Sequence, residues 1–329
     1  LQRTQMPDSV VGIEAPARLH FGMLDLRGSL GRRFGGIGAG IFGPSLLVEL
    51  ERAGSVQAEG ASADRAADFA RRYIAAAGVP GGVRIVVRRA IPGHSGLGSG
   101  TQLALAVARG IAELYDLPAN VATLATAVGR AKRSAIGSWL FAGGGFVVEG
   151  GRREEGGHIA PMLARLTIPE SWRCVLALPA STAGASGIAE SHAFRTLPEP
   201  PLSEVEHVAH LVLMSLLPAL VEGELEAFGR ALTEIQQING RWFAPAQGGM
   251  FAPGASTELI RKMAEWGAAG VGQSSWGPAV YGVVAGDDAA AHLADRVRNA
   301  LNERGEVYVN QFADSGARVT IRDPSAAHS

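Results

Sequence analysis

The sequence predicts an α+β protein of two lobes, with an anion-binding loop in the first. Three observations carry that prediction. Strand-like and helical runs mix along the whole chain, with no internal repeat. A glycine-rich run, Pro92-Gly93-His94-Ser95-Gly96-Leu97-Gly98-Ser99-Gly100-Thr101-Gln102, lies between a strand-like Val83–Val87 and an apolar helical stretch, Leu103–Leu114. The pattern resets over residues 156–169, and a second array of elements follows. A chain of 329 residues with 47% hydrophobic content can fill two cores, on a soft prior of roughly 150 residues per domain. The lobes are therefore expected at residues 1–168 and 169–329.

Taken in order, Val10–Glu14 and Ala17–Leu24 are apolar and strand-like. Gly28–Gly43 is dense in glycine and reads as a turn, and Ser45–Leu50 reads as a strand. Ala63–Ala77 has helical spacing and stops at Gly78, a C-cap signal. Asn120 is placed to cap a helix over Val121–Arg130. A second glycine-rich stretch, Gly137–Gly151, surrounds Phe146-Val147-Val148. Beyond the reset, Arg173–Leu178 is a strand, and Glu204–Leu217 and Leu220–Ile238 are helices broken apart by Pro218. Thr257–Ala268 is a helix, followed by strand Ala279–Val284, helix Asp288–Asn302 and strand Glu306–Phe312. A site between the lobes is expected, a preferred position for ligand pockets.

The glycine run has a specific physical use. Glycines let backbone approach an anion closely, and the start of a helix presents N–H groups and a positive dipole end. Ser99 and Thr101 add hydroxyl donors. No Lys follows Gly98 or Gly100, so this is not a Walker A loop. The dinucleotide fingerprint fails too, because Thr101 stands where its last glycine belongs. A plain helix cap without a ligand is the alternative.

Composition narrows the partners. The formal net charge is −1, which argues against nucleic-acid or membrane binding as a global property. Cys174 is the single cysteine, placed in an apolar strand as a buried structural thiol. The start of the sequence lacks an apolar signal core, and no run of ~18 apolar residues is evident. A soluble, cytoplasmic protein is expected.

Three motifs in order resemble the GHMP kinase superfamily. Pro16-Ala17-Arg18-Leu19-His20-Phe21 is similar to its first motif, Pro92–Thr101 to the phosphate loop, and Gly270-Val271-Gly272-Gln273-Ser274-Ser275-Trp276-Gly277-Pro278 to the glycine-rich third. The resemblance implies a two-lobed fold. Its N-terminal lobe would contain a left-handed β-α-β phosphate-loop region, and its C-terminal lobe would be ferredoxin-like. Many of these kinases carry a catalytic Asp in a segment like Ser134-Ala135-Ile136-Gly137. Here Gly137 holds that position and can neither accept a proton nor bind a metal. Arg18 replaces the usual Lys and His20 the usual Asn.

These departures resemble one branch, the β-ribofuranosylaminobenzene 5′-phosphate synthases. That likeness rests on Ala17–Gly22, Gly31-Arg32-Arg33-Phe34-Gly35-Gly36, Gly96–Gln102, and Arg133–Gly137 before Gly144-Gly145-Phe146. It implies transfer of ribose 5-phosphate from phosphoribosyl pyrophosphate to 4-aminobenzoate, or a related 4-substituted benzoate. CO₂ and pyrophosphate would be released, in tetrahydromethanopterin synthesis. Mg²⁺ is expected with pyrophosphate, and ATP is not expected to be required. No protein nucleophile is needed, so the work falls to positioning and charge stabilisation.

On this reading Arg18, His20, Asp25 and Arg133 are the catalytic candidates. His94, Ser95, Gly96, Leu97, Gly98, Ser99, Gly100, Thr101 and Gln102 would bind pyrophosphate. Arg32, Arg33, Phe34, Gly35, Gly36, Ser134, Gln273, Ser274, Ser275 and Trp276 would contact substrate. Asp25 and Glu190 are the candidate metal ligands. Several keep a structural alternative: His20 as a satisfied core histidine, Arg32-Arg33 as a solvated pair, Trp276 as interface filling. Leu211–Leu220 could serve a homodimer or the core. Val283–Asp288 has the apolar strand and paired acids of ordinary phosphoribosyltransferases, but it continues as a helix, so Asp287 and Asp288 are read as dipole partners. An ATP-dependent kinase with relocated groups and a non-catalytic binding protein are the competing functions.

Overall fold

Val11, Ile13, Ala15, Ala17, Leu19 and Phe21 are all buried, the period of two that makes a strand with one face in the core. In the computed structural model, which describes residues 9–153, 158–180 and 187–322, they form one strand, β1 (Val10–Gly22). A bulge between Pro16 and Ala17 separates the two stretches expected from sequence without ending the strand. The short β2 (Arg32–Arg33) and the long β3 (Gly36–Ala53) follow. The expected glycine turn is therefore strand from Gly36 onward. At Gly38 a Cβ would collide with the Leu19 carbonyl and the Ile136 side chain, so glycine there marks close packing rather than a turn.

Next come β4 (Gln57–Gly60), α1 (Ala63–Ala77) and β5 (Gly82–Arg89), with β4 and β5 parallel across the helix. Gly78 caps α1 at φ 65°, its N–H donating to the Ile74 carbonyl. The loop helix α2 (Ser99–Leu114) is followed by α3 (Val121–Ala127), capped by the Asn120 side chain as expected. α3 ends short of Arg130 because Gly129 turns left-handed at φ 70°. The second glycine stretch opens with a helix, α4 (Ile136–Gly143), not a loop: Ile136, Leu140 and Phe141 bury one face of it. β6 (Phe146–Glu149), β7 (Arg152–Arg153) and β8 (Met162–Leu166) complete the lobe. The main sheet runs β1–β3–β5–β4, with β6 also on β3 and β8 on β6, while β2 pairs β7.

The second lobe begins with β9 (Trp172–Pro179) and α5 (Gly187–Thr196). α6 (Leu202–Leu211) passes through a π-turn, Val212–Leu216, into α7 (Leu217–Glu222). Pro218 does not break this run. It lies in the first turn of α7, where the wider π-turn precedes it, and the break comes at Gly223 with φ 75°. By length and mean hydropathy Leu202–Glu222 could cross a membrane, although it holds no unbroken apolar run of that length. Within the fold Val205, Val208, Val212, Leu216 and Leu220 are buried, whereas Leu213 and Met214 are exposed.

α8 (Leu225–Gln247), α9 (Ala255–Glu265), β10 (Gly270–Gln273), β11 (Val280–Ala285), α10 (Asp287–Leu301) and β12 (Gly305–Gln311) follow. The antiparallel order β10–β11–β9–β12, with the chain running β-α-β-β-α-β, is ferredoxin-like. Cys174 is fully buried on β9, and burial pushes its thiol well up. Asp287 pairs with Arg173 at 2.5 Å, as a helix-start carboxylate rather than a ligand group. The last strand, β13 (Arg318–Arg322), returns to the first sheet and pairs with β1, although sequence assigned its range to the second lobe. Phe21 packs on Tyr281 at 5.0 Å and Phe146 on Phe228 at 5.9 Å, so aromatic rings join the lobes.

Candidate active site

The glycine loop is held from below by β1. The Arg18 backbone N–H donates to the Leu97 carbonyl at 3.0 Å, and its Nη1 donates to the Gly96 carbonyl at 3.1 Å. Gly96 and Gly98 have φ of 81° and 74°, and a Cβ on Gly96 would collide with the Ser274 carbonyl. Both positions therefore require glycine. Gly98 caps α2, its carbonyl accepting from the Thr101 N–H at 2.9 Å and the Gln102 N–H at 3.1 Å. Two further guanidinium groups lie over that first turn. A Cβ on Gly100 would meet Arg65 Nη2 and lie 3.1 Å from Arg130 Nη2. The Arg130 group also lies 4.8 Å over the Phe69 ring.

The third glycine motif closes against this loop. Ser274 Oγ accepts from the His20 N–H at 3.0 Å and donates to the Gly96 carbonyl at 2.7 Å. One hydroxyl thus ties β1, the phosphate loop and the second lobe together. Two amides of α8 clamp the end of β1: Gln236 donates to the Phe21 carbonyl, and Asn239 brackets Met23 with 2.5 and 3.1 Å bonds. His20 is consequently held on both sides.

His20 is 4% exposed and Glu149 not at all. Burial, aided by the Arg18 charge, holds the His20 imidazole down at about 3, so it is neutral at physiological pH. Glu149 Oε2 accepts from the Ala135 N–H at 2.6 Å. Burial nevertheless pushes its carboxyl up to about 7, against the lowering effects of Ser134, that N–H and Arg18. Among the described residues, His20 Nε2 and Glu149 Oε1 have no hydrogen-bond partner.

Beside His20 opens a small cleft, lined by Met23, Phe194, Asn239, Phe243 and Trp276 among others. Phe194, Phe243 and Trp276 meet edge to face at 4.9–5.8 Å, and Phe34 packs on Phe194 at 5.7 Å. The Arg133 guanidinium lies 4.9 Å over the Phe194 ring. The cleft therefore offers flat apolar walls with cationic and amide groups at its margins, a setting for a small aromatic ligand.

The comparisons agree with this architecture. The chain matches the GHMP kinases N terminal domain over residues 62–140 and the GHMP kinases C terminal domain over residues 216–303. It is 35% identical to the beta-ribofuranosylphenol 5′-phosphate synthase of Methanothermobacter thermautotrophicus, covering 93% of this chain and 97% of that protein. The protein of the same name from Archaeoglobus fulgidus is 34% identical over 89% of this chain and 93% of its own length. The chain belongs to the β-ribofuranosylphenol 5′-phosphate synthase family of GHMP-fold enzymes. Among solved structures it is similar to homoserine kinase from Cytophaga hutchinsonii, with TM-score 0.70 at 19% identity over 97% of this chain and all of that one. It is also similar to L. major mevalonate kinase, with TM-score 0.67 at 14% identity over 91% and 95% of the two chains. These last two likenesses establish the fold alone.

Within this synthase family member, the structure gathers Arg18, His20, the Gly96–Thr101 loop, Ser134, Ser274, Ser275, Trp276 and Arg133 around one cleft and its adjoining loop. A Cβ on Gly137 would lie 3.2 Å from Thr101 Cγ2, so the position where kinases carry Asp does face the loop, and it carries no carboxylate. Other candidates serve the scaffold. Leu97 is a core side chain, and Gln102 is fully buried and donates to the Gly137 carbonyl at 2.9 Å. Gln273 lines the cleft and also accepts from the Ala252 N–H at 2.6 Å; Arg32 donates to the Gly151 carbonyl, and Arg33 to the Leu26 carbonyl. Ser95 Oγ donates to the Pro92 carbonyl, and His94 is exposed at φ 57°. Gly35 and Gly36 are buried beside Glu149.

Asp25 Oδ1 accepts from the Arg27 and Gly28 N–H groups of its own turn. The Glu190 side chain lies outside the described residues. No group of three or more His, Cys, Asp or Glu among the described residues could hold a metal ion. Sequence reading missed Arg65, Arg130, Phe194, Phe243 and Glu149. For Glu149 a signal was present, a lone carboxylate ending the apolar run Phe146-Val147-Val148.

Proposed function

We propose that the chain catalyses decarboxylating phosphoribosyl transfer from phosphoribosyl pyrophosphate to a para-substituted benzoate, releasing CO₂ and pyrophosphate, as a step of tetrahydromethanopterin synthesis. The observation that carries this reading is the junction of an aromatic-walled cleft with an anion loop through the single hydroxyl of Ser274. Pyrophosphate would lie on the N-terminus of α2 beneath Arg65 and Arg130. Fixed donors there stabilise charge as the C1–O bond breaks. The flat acid would occupy the cleft against Trp276, its ring carbon bearing the carboxylate aimed at C1. Attack by that carbon forms the C–C bond, and loss of CO₂ returns the electron pair to the ring. Proximity of two bound substrates supplies much of the rate. The relatives are named for a ribofuranosylphenol, which favours 4-hydroxybenzoate over the 4-aminobenzoate expected from sequence. Mg²⁺ would arrive on the pyrophosphate oxygens, and no step is assigned to a protein-held ion.

A paired assay tests this. One arm contains phosphoribosyl pyrophosphate, Mg²⁺ and carboxyl-labelled 4-hydroxybenzoate or 4-aminobenzoate; the other contains ATP with small alcohols. Labelled CO₂ with stoichiometric pyrophosphate is expected. ADP without CO₂ would return the chain to the kinases.

A further inference from the structure

The aromatic cleft is nearly shut. It leaves about 40 Å³ of open volume, whereas a cavity of about 150 Å³ takes benzene. An acceptor ring bearing a carboxylate therefore enters only when one wall moves. The wall on β1 is fixed, because Ser274 holds the His20 N–H at 3.0 Å and Asn239 brackets Met23 at 2.5 and 3.1 Å. The same bonds fix the walls opposite, since Asn239 stands on α8 and Ser274 in the third glycine motif.

The segment between α8 and α9 is held differently. Met250 and Phe251 line the cleft from it. Gly248 and Gly254 mark its ends at φ 82° and 87°, and a Cβ built on either would meet nothing within 4 Å. Both ends thus have the backbone freedom and the room of a hinge. Among the described residues, Gln247 Nε2 donates to the Met250 carbonyl at 2.8 Å and Thr257 Oγ1 to the Ala252 carbonyl at 2.9 Å, both in contact with solvent. Water can replace those two bonds at little cost. The third is different: the Ala252 N–H donates at 2.6 Å to Gln273 Oε1, and Gln273 is 4% exposed. The segment also seats against α8 at Gly240, where a Cβ would lie 2.5 Å from both Met250 Cγ and the Met250 carbonyl oxygen.

We propose that residues 248–254 are a lid over the aromatic cleft, with Gln273 as the positioning residue that latches it. The lid swings out to admit the acceptor ring and closes over it through Met250 and Phe251. The proposal rests on the reading of this cleft as the site of the aromatic acid. Closure would keep water from C1 of the ribosyl group while pyrophosphate leaves. Gln273 is suited to the latch because its amide is itself held: Nε2 donates to the Ser275 carbonyl at 2.9 Å, and its backbone N–H donates to Gln236 Oε1 at 2.8 Å. The lid is therefore fastened to the same motif that touches the anion loop.

Two variants loosen the lid by different means. Gln273→Leu removes the acceptor of the Ala252 N–H. Gly240→Ala puts a methyl against the Met250 carbonyl, on a helix that otherwise favours alanine. Stopped-flow tryptophan fluorescence, with Trp276 in the cleft wall as reporter, follows binding of 4-hydroxybenzoate. In the wild type the observed rate should level off with concentration at the rate of lid opening. Loss of one hydrogen bond should raise that plateau by about 2–10-fold in Gln273→Leu, and Gly240→Ala should raise it too. A rate that climbs linearly without a plateau, or a plateau unchanged in both variants, would overturn the lid. Absence of any 4-hydroxybenzoate binding by the wild type would instead refute the reading of the cleft. Hydrogen exchange at the Ala252 amide without ligand would then decide the lid. Gly240→Ala leaves that amide its Gln273 partner and should still speed its exchange; an unchanged rate would overturn the proposal.

Discussion

Replacing Glu149 with Gln should make the protein more stable, and only above acidic pH. In the fold this carboxyl titrates at about 7, against the ordinary 4.5, chiefly because burial disfavours its charge. Below pH 4.5 it is protonated in folded and unfolded chains alike. Between 4.5 and 7 the unfolded chain releases the proton and the folded chain retains it, so stability falls as pH rises. That interval, at ~1.4 kcal/mol per pH unit, amounts to about 3 kcal/mol. Gln carries no such penalty and still accepts from the Ala135 N–H. The variant's advantage over wild type should therefore grow by about 3 kcal/mol from pH 4.5 to 8, then level off. Urea unfolding followed by tryptophan fluorescence across that range measures it. A difference between the two proteins that does not change with pH would refute the reasoning. It would mean that Arg18 keeps Glu149 ionised in the fold.

Three other outcomes follow from the same geometry. His20 has the opposite linkage: with its imidazole held at about 3, the unfolded chain binds the extra proton between pH 3 and 6.5. Its contribution to stability should rise with pH there by about 4–5 kcal/mol, offset above pH 4.5 by the opposite Glu149 linkage, so wild type minus His20→Gln in urea unfolding should show the rise. Arg130→Ala should weaken pyrophosphate binding by about 10–100-fold through loss of a charge-assisted hydrogen bond, with the melting temperature less affected; calorimetry with pyrophosphate would show it. Gly96→Ala combines a positive φ with a collision against the Ser274 carbonyl, so it should destabilise by more than about 2 kcal/mol. Chemical denaturation would detect that, and an unchanged midpoint would contradict the loop geometry.

Much of the fold was legible because it follows from local rules. Alternating apolar residues in β1, Gly78 as the cap of α1 and Asn120 as the cap of α3 need only their neighbours in sequence. The glycine loop was equally legible, since a strand, glycines and a helix start are read from neighbouring residues. Misreadings came where distant chain decides conformation. Gly36–Gly43 became strand because β1 and β6 pair with it, α4 formed because Ile136, Leu140 and Phe141 had a core to enter, and β13 crossed back to β1. The sequence by itself determined that a glycine loop at a helix start and three motifs of one family are present. Only the tertiary structure decided what surrounds them. Arg65, Arg130, Phe194 and Phe243 come from segments far apart in the chain. Glu149 acquires its raised pKa because long-range packing removes water from its carboxyl. Burial and orphaned polar atoms are properties of neighbours in space, and no spacing of residues along the chain encodes them.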